Sequence, residues 1–277
     1  RHRIGKGEWQ AADEILRVDR AVRTALGVPH RSGYMVQPWA REKEDNPKTL
    51  PIELSYSFDC RALPSGDLFL ALEQARTFRV SLNGVPVSQD AECGWWVDLS
   101  MRKLPLDPAL LRLGRNELTL ECDYRADHPG LEIVYLLGNF GTAVNGTEVA
   151  VTALPTTLKV GDWTPQGLAF YSGSVGYFCK ANIPSDKSRR LFVHVPEYRG
   201  VAVRVLVNGK EAGIAAWEPN EVEITGLAEG EADVQIQVIG HRRNSHGPFH
   251  INEKWPSWTG PDAFTRGADS WFDGYQL

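Results

Sequence analysis

Apolar and polar residues alternate with a period of two along most of the chain, and turn-forming residues separate the alternating runs. The clearest runs cover residues 52–58, 68–72, 78–82, 117–121, 191–195, 201–207 and 234–238. A period of two with many β-branched residues predicts half-buried β-strands. Because helical segments do not alternate with these runs, the pattern predicts an all-β fold made of antiparallel sandwiches or barrels.

A single segment near the N-terminus has helical spacing. Val22 and Leu26 lie four residues apart, which places both side chains on one face of a helix. Asp19 is the predicted N-cap, and Gly27, which Pro29 follows, is predicted to end the helix. The sequence therefore predicts one short helix in an otherwise β-structured chain.

Three sequence features occur twice in the same order, as a strand, an Asn-Gly hairpin and a turn followed by a strand. The matched pairs are 52–61 with 174–183, 73–84 with 197–209, and 113–121 with 228–237. Asn-Gly favours a tight hairpin because both turn positions need positive φ. We interpret the pattern as two homologous sandwiches in tandem, with chance similarity as the alternative. The predicted domains are 1–162, with an N-terminal arm, and 163–277, with a long C-terminal loop.

Charge and hydropathy exclude some classes of partner. The chain has 277 residues and a formal net charge of −5, its mean hydropathy is −0.31, and no apolar run approaches the roughly 18 residues of a membrane span. An acidic chain is poorly suited to bind a polyanion. We therefore expect neither a nucleic acid nor a membrane as partner.

The cysteines and the chain ends add two expectations. Cys60, Cys93, Cys122 and Cys179 are too widely spaced for a zinc knuckle, so free structural thiols are expected, with a disulfide as the alternative. Both ends of the chain lie within strand-like patterns, which suggests a fragment of a longer protein. A bacterial cytoplasmic location and a secreted or periplasmic one therefore both stay open.

Several motifs, taken in order, resemble the C-terminal region of large bacterial glycoside hydrolases of the α-L-rhamnosidase-like type. The motifs lie at residues 35–39, 115–120, 135–141, 161–177, 207–209, 243–250 and 271–277. Each motif is short, and their order and spacing carry the resemblance. It implies galactose-binding-like jelly-roll sandwiches placed after a catalytic barrel of the same chain. It also implies that the catalytic carboxylates lie in that barrel, so no catalytic residue is assigned here.

Catalysis within the chain itself has little support in the sequence. The segment 172–176 lacks the glycine spacing of a nucleophile elbow, and phosphate loops and metal-binding helix motifs are absent from the sequence. We therefore expect a non-catalytic accessory region of a multidomain glycoside hydrolase that braces the catalytic domain and requires no cofactor. The alternatives are an autonomous carbohydrate-binding module or lectin and, third, a self-contained hydrolase.

Nine tryptophans against two methionines suggest carbohydrate as a ligand, either a plant or a bacterial polysaccharide. Sugar rings stack on aromatic rings, and their hydroxyls pair with planar polar groups. The candidate carbohydrate-binding residues are Arg243, His246, His250, Trp255, Trp258, Trp271, Trp95 and Trp96. The alternative for the three C-terminal tryptophans is a structural clamp. Since adjacent residues of a strand point to opposite faces, we expect at most one of Trp95 and Trp96 in the core.

The remaining tryptophans and a group of aspartates receive structural interpretations. Trp163 and Trp217 are predicted to be packing residues, and Trp9 and Trp39 are predicted to cover the first sandwich. Three loop carboxylates, Asp262, Asp269 and Asp273, are candidate ligands of a structural calcium ion, with a solvated acidic loop as the alternative.

Overall fold

A computed structural model of the chain describes residues 1–31, 45–252 and 259–277. The described residues form an all-β protein, as predicted, divided into two compact units. Unit 1 contains residues 1–158, 165–169 and 248–276, and unit 2 contains residues 159–164 and 170–247 together with Leu277. The C-terminal segment 248–276, which the sequence assigned to the second domain, thus belongs to unit 1. No helix among the described residues has the length and apolar character needed to cross a bilayer.

Unit 1 is built from two sheets. Its strands are β1 His2–Ile4, β2 Thr49–Cys60, β3 Ser65–Glu73, β4 Arg79–Leu82, β5 Val85–Val87, β6 Trp95–Trp96, β7 Asp98–Leu106, β8 Gly114–Arg125, β9 Tyr135–Asn139, β10 Gly141–Asn145 and β11 Glu148–Thr152. The larger sheet has the order β10-β11-β2-β8-β4-β5, with β1 on β2, and the smaller sheet has the order β6-β7-β3-β9. All pairs are antiparallel except β11 with β2, which are parallel.

Leucines from both sheets form the core of unit 1. Leu82 and Leu120 of the larger sheet and Leu70 and Leu104 of the smaller one belong to one buried cluster. Each occupies an inward position in an alternating strand, as the period of two requires. Burial of such a side chain contributes about 1.5–3 kcal/mol, so this shared core holds the two sheets together.

The helix of unit 1, α1 Ile15–Leu26, packs its apolar side into the same core. Gly27 ends the helix with a φ of 80°, as the sequence predicted. Asp19 is not the N-cap. Glu14 has that role, and its carboxylate accepts the backbone N–H groups of Leu16 and Arg17. Asp19 is instead buried in the middle of the helix, where it forms ion pairs with Arg23 of the same helix and with Arg31 beyond it.

Unit 2 is a smaller arrangement of two sheets. Its strands are β12 Ser174–Ile183, β13 Phe192–His194, β14 Ala202–Val207, β15 Lys210–Ala215, β16 Glu221–Glu223 and β17 Gly230–Ile239, followed by the short helix α2 Arg243–His246. The sheets have the orders β12-β17-β14-β15 and β13-β16. Val203, Val205 and Val222 contribute to its buried cluster, which is separate from that of unit 1.

Both units contain the same four-strand order. Strands β2-β8-β4-β5 in unit 1 and β12-β17-β14-β15 in unit 2 follow one scheme, with the Asn-Gly turn between the last two strands. Asn83 and Gly84 have φ values of 51° and 80°, and Asn208 and Gly209 have values of 48° and 75°. Homology of the two units, and their jelly-roll and galactose-binding-like character, stay predictions.

The four cysteines are free thiols, two of them buried and two exposed. Cys60 and Cys122 are buried, and burial raises the pKa of the Cys122 thiol to about 12. Cys179 is exposed, contrary to its apolar sequence context. It lies on β12, an edge strand with a neighbour on one side only, so the sheet does not enclose it.

Candidate functional site

The structure separates the predicted carbohydrate-binding residues into groups. Trp95 and Trp96 form strand β6 of unit 1, and His250 and Trp271 lie together in the C-terminal segment of unit 1. Arg243 and His246 are in helix α2 of unit 2. Trp255 and Trp258 lie outside the described residues. Two groups in unit 1 can therefore be compared as candidate sites.

Strand β6 is held at the edge of the smaller sheet by pairing with β7. Trp95 is aligned with Arg102, and Trp96 with Asp98. Val97 makes the turn with a φ of 67°. A β-branched residue rarely adopts this conformation, which costs about 1–3 kcal/mol. The hairpin therefore places two tryptophans next to each other, and its turn residue is strained.

The two indole rings have different surroundings. The Trp95 residue is 50% exposed. Trp96 is partly buried, and its ring centroid lies 4.9 Å from that of Tyr135, with the ring planes at 55°. The prediction that at most one of the two would lie in the core is confirmed. An aromatic surface thus remains at the tip of the β6–β7 hairpin, supported from behind by the Trp96–Tyr135 contact.

Polar groups lie on the same hairpin and next to it. Arg102, aligned with Trp95, donates from Nε to a carboxylate oxygen of Glu92 at 2.7 Å. The Ser100 hydroxyl donates to Glu73 at 3.4 Å, and the Ser100 N–H donates to Asp98 at 2.8 Å. A guanidinium group and a carboxylate next to the exposed Trp95 ring provide both kinds of contact that a sugar ring requires.

The surroundings of the Tyr135 hydroxyl disfavour its ionised form. Burial raises the pKa of Tyr135, and the negative charges of Glu132 and Glu73 raise it further. Burial also raises the pKa of Glu132, whereas its ion pair with Arg31 opposes that shift. Tyr135 therefore keeps an O–H that can both donate and accept a hydrogen bond.

A second cluster in unit 1 surrounds Trp271. Its ring stacks on His250 at 4.8 Å between centroids, and the Arg17 guanidinium lies 4.4 Å from the Trp271 ring centroid. The Trp271 indole N–H donates to Asp273 at 3.0 Å. Because the ring faces protein groups from α1 and from the C-terminal segment, these contacts favour the clamp interpretation of Trp271. A sugar-contacting role for His250 and Trp271 stays a prediction.

Other contacts tie the same C-terminal segment to unit 1. Ile251 and Trp271 form an isolated β-bridge, and Arg20 of α1 donates to the Thr265 hydroxyl at 2.8 Å. Ile251 and Ala263 are buried. A segment that the sequence shows only as a long irregular loop is therefore anchored by packing.

The three aspartates predicted as calcium ligands are not gathered into a metal-binding group among the described residues, and a calcium ion held by them stays a prediction. Among the described residues, no group of three or more His, Cys, Asp or Glu side chains is arranged to hold a metal ion. Asp262, Asp269 and Asp273 are all exposed, and Asp273 accepts the Trp271 indole N–H. Their arrangement fits the solvated acidic loop that was the alternative.

The remaining tryptophans divide between packing and exposure. Trp163 packs against the buried cluster of unit 2, as predicted, and Trp9 lies against Arg1 and Arg3 at 4.6 and 4.8 Å. Trp217 is 79% exposed, so its predicted packing role is wrong. It lies two residues after the end of β15, in a loop outside the sheets of unit 2. Trp39 lies outside the described residues.

Sequence reasoning did not single out Phe178, a strongly exposed aromatic residue. Phe178, on β12 of unit 2, is 77% exposed. The strand alternation could have predicted its outward orientation, because Phe178 lies out of phase with the inward positions Val175 and Ile183.

Comparisons with known proteins give distant structural likenesses. No protein-family model matches the chain, and no curated protein matches it. It is similar to part of a Streptomyces avermitilis α-L-rhamnosidase solved with L-rhamnose, at 13% identity and a TM-score of 0.31 over 68% of this chain and 21% of that one. It is also similar to a rhamnosidase from Novosphingobium sp. PP1Y, at 14% identity and a TM-score of 0.27, over 81% of this chain and 22% of that chain.

A glycosyl hydrolase family 2 member from Bacteroides cellulosilyticus is similar at 9% identity and a TM-score of 0.25, over 86% of this chain and 30% of that one. The chain thus spans between about a fifth and a third of the length of these three hydrolase structures.

Proposed function

We propose that this chain is a non-catalytic β-sandwich region of a larger glycoside hydrolase and that it binds carbohydrate through the Trp95–Trp96 surface. This surface consists of Trp95, Trp96, Arg102, Tyr135 and Glu73. The observation that carries the proposal is the half-exposed Trp95 ring directly opposite Arg102 on a hairpin whose turn residue is strained. The motif resemblance in the sequence supports the hydrolase context.

The proposed binding mode follows from the two kinds of surface that a sugar ring presents. The apolar C–H face of the ring stacks on Trp95, and ring hydroxyls pair with the Arg102 guanidinium and the Glu73 carboxylate. Trp96 does not contact the sugar in this scheme. Its contact with Tyr135 at 4.9 Å fixes the hairpin and lowers the entropy lost when ligand binds.

A titration calorimetry experiment on the full chain tests the proposal. The ligands are L-rhamnose and a panel of neutral oligosaccharides, and the variants are Trp95→Ala and Trp217→Ala. Trp217 is the matched control because it is also an exposed tryptophan and lies in the other unit. We expect measurable binding that Trp95→Ala weakens by about tenfold, because the variant loses the aromatic surface that ligand binding would bury. Trp217→Ala is expected to leave the affinity unchanged.

Three results would contradict the proposal. Absence of binding to every sugar, or equal losses in the two variants, would exclude the Trp95–Trp96 surface as a binding site. Turnover of aryl glycosides by the purified chain, among them an aryl α-L-rhamnoside, would overturn its non-catalytic character. Strong binding by the chain alone would instead favour an autonomous module or lectin over an accessory region.

A further inference from the structure

The outward face of the four-stranded sheet of unit 2 carries a second surface with the chemistry of a ligand site. Phe178 on β12, Gln235 on β17 and Leu206 on β14 are aligned in one row across three strands. They line an open depression of about 450 Å³ together with Lys180 and Asp233. We call these five residues the Phe178 face.

The Phe178 ring is presented to solvent instead of being used for packing. The residue is 77% exposed, and the core of unit 2 is formed by the alternate positions of the same strands. An exposed aromatic ring on a regular strand gains nothing from burial in the unit that carries it. It is available for contact with a ligand that offers an apolar surface of similar size.

Glycine at position 176 leaves room for the groups of this face. A side chain there would lie 2.9 Å from the Gln235 amide nitrogen and 3.4 Å from the Phe178 ring. The Gln235 amide and the Phe178 ring therefore lie beside each other above a bare stretch of strand. A planar amide next to an aromatic ring offers hydrogen bonds at the rim of an apolar platform.

The amides on this face have unused hydrogen-bonding capacity. Gln235 and Gln237 lie next to each other on the same face of β17. Neither side chain makes a hydrogen bond to another of the described residues. Each amide has two donor hydrogens and an acceptor oxygen. Ligand hydroxyls, which both donate and accept, are suitable partners for such groups.

The charges on this face favour a neutral ligand. Lys180 is paired with Glu231 and lies 3.8 Å from Asp233, and Arg204 is paired with Glu211 at 3.1 Å. The two cations are thus outnumbered by three carboxylates. A polyanion would meet repulsion here, and a cation would have to compete with existing ion pairs.

We propose that the Phe178 face is a second carbohydrate-binding site, which takes a neutral glycan chain lying across strands β12, β17 and β14. One sugar ring stacks on Phe178, and the Gln235 and Gln237 amides bind its hydroxyls. Neighbouring sugar units contact Leu206 and Asp233. This site is independent of the Trp95–Trp96 surface, since it lies wholly within unit 2.

Affinity electrophoresis of the full chain tests this inference. Native gels contain one of three neutral polysaccharides (xyloglucan, galactomannan or mixed-linkage β-glucan) or acidic polygalacturonate. All variants are made in the Trp95→Ala background, so that the proposed unit 1 site does not contribute. Phe192→Ala is the matched control because Phe192 is a 42% exposed phenylalanine in the same unit, on the separate β13–β16 sheet.

The expected result is retardation in at least one neutral gel, with affinity reduced about tenfold by Phe178→Ala and unchanged by Phe192→Ala. Phe178→Tyr, which retains the ring, is expected to bind as well as the parent. Absence of retardation in all neutral gels, retardation by polygalacturonate alone, or equal mobility of Phe178→Ala and its parent would overturn the proposal. A change of oligomeric state on Phe178→Ala, measured by size-exclusion chromatography with light scattering, would also overturn it, because the face would then be a contact between copies.

Discussion

Asn208 and Asp233 are joined by two reciprocal hydrogen bonds. The Asn208 N–H donates to the Asp233 carbonyl at 2.8 Å, and the Asp233 N–H donates to Asn208 Oδ1 at 2.9 Å. Asn83 and Glu117 make the same pair in unit 1, also at 2.8 and 2.9 Å. Each asparagine therefore opens a hairpin with positive φ and at the same time fastens that hairpin to the neighbouring strand.

Substitution of Asn208 separates these two roles. Asn208→Gly retains the positive φ and loses the side-chain hydrogen bond, so we expect a loss of about 1 kcal/mol in the free energy of unfolding. Asn208→Ala also forces an alanine into the left-handed region and should cost about 2 kcal/mol. Urea denaturation, followed through hydrogen exchange of the β14 and β17 amides, measures both. Equal losses in the two variants would show that φ at this position contributes nothing.

Asp19 is expected to be the most sensitive charged residue of unit 1. It is 1% exposed and accepts hydrogen bonds from Tyr124, Leu131, Arg23 and Arg31 at 2.7, 2.8, 3.0 and 3.0 Å. Asp19→Ala leaves the fully buried Arg23 without its counter-charge, so we expect a loss of about 3–5 kcal/mol.

The control for this prediction is Asp13, which forms an exposed ion pair with Arg17 at 3.4 Å in the same region. Asp13→Ala should cost less than about 1 kcal/mol. Chemical denaturation monitored by circular dichroism compares the two variants. If both variants lost the same free energy of unfolding, the buried network around Asp19 would contribute no more to the stability of unit 1 than an exposed ion pair.

Glu14 gives unit 1 a specific dependence on pH. Burial raises the pKa of the Glu14 carboxyl from 4.5 to about 7, although backbone N–H groups of Leu16 and Arg17 oppose the shift. Because the pKa is higher in the folded state, this group's contribution to stability is fully present below pH 4.5. As the pH rises from 4.5 to about 7 this contribution is lost, and the free energy of unfolding falls by up to about 3 kcal/mol.

Comparison with Glu14→Gln isolates this effect, because glutamine keeps an acceptor oxygen for the helix N-terminus and does not ionise. The stability of the parent relative to Glu14→Gln should fall between pH 4.5 and 7 in thermal or urea unfolding. A difference that is constant with pH would mean that Glu14 ionises as readily in the folded chain as in the unfolded one.

Trp271 is expected to affect stability more than ligand binding. Its ring contacts both His250 and Arg17, so Trp271→Ala removes a stacking contact and a cation–π contact, and we expect a loss of about 2 kcal/mol. Thermal unfolding measures the loss, and titration with any sugar that binds the parent measures affinity. Unchanged stability with lost affinity would instead support the sugar-contacting interpretation of Trp271.

Local sequence pattern was sufficient for the strands and for particular turns. The alternating residues 117–121 and 234–238 lie in the central strands β8 and β17. Both Asn-Gly pairs adopt the positive φ angles that these residue types favour. Gly27 likewise ends α1. These features depend on side-chain periodicity and backbone sterics within a few residues, and such information lies in the sequence itself.

Tertiary contacts decided the features that the sequence did not reveal. Aspartate is a residue type favoured at helix N-caps, yet Asp19 accepts hydrogen bonds from Arg23, Arg31 and Tyr124 in a buried network. Glu14 caps the helix instead. Trp217 is apolar and remains exposed, whereas Ile251 and Ala263, in a segment that has no strand pattern, are buried in unit 1.

The sequence by itself therefore determined that this chain is an all-β protein with one helix of more than two turns among its described residues. Which of the outward aromatic side chains stay uncovered was decided only by the tertiary structure. The physical reason is that alternation assigns a side chain to one face of a strand, whereas long-range packing decides whether another element covers that face. Trp95 and Phe178 remain uncovered for this reason, and the two proposed carbohydrate sites rest on them.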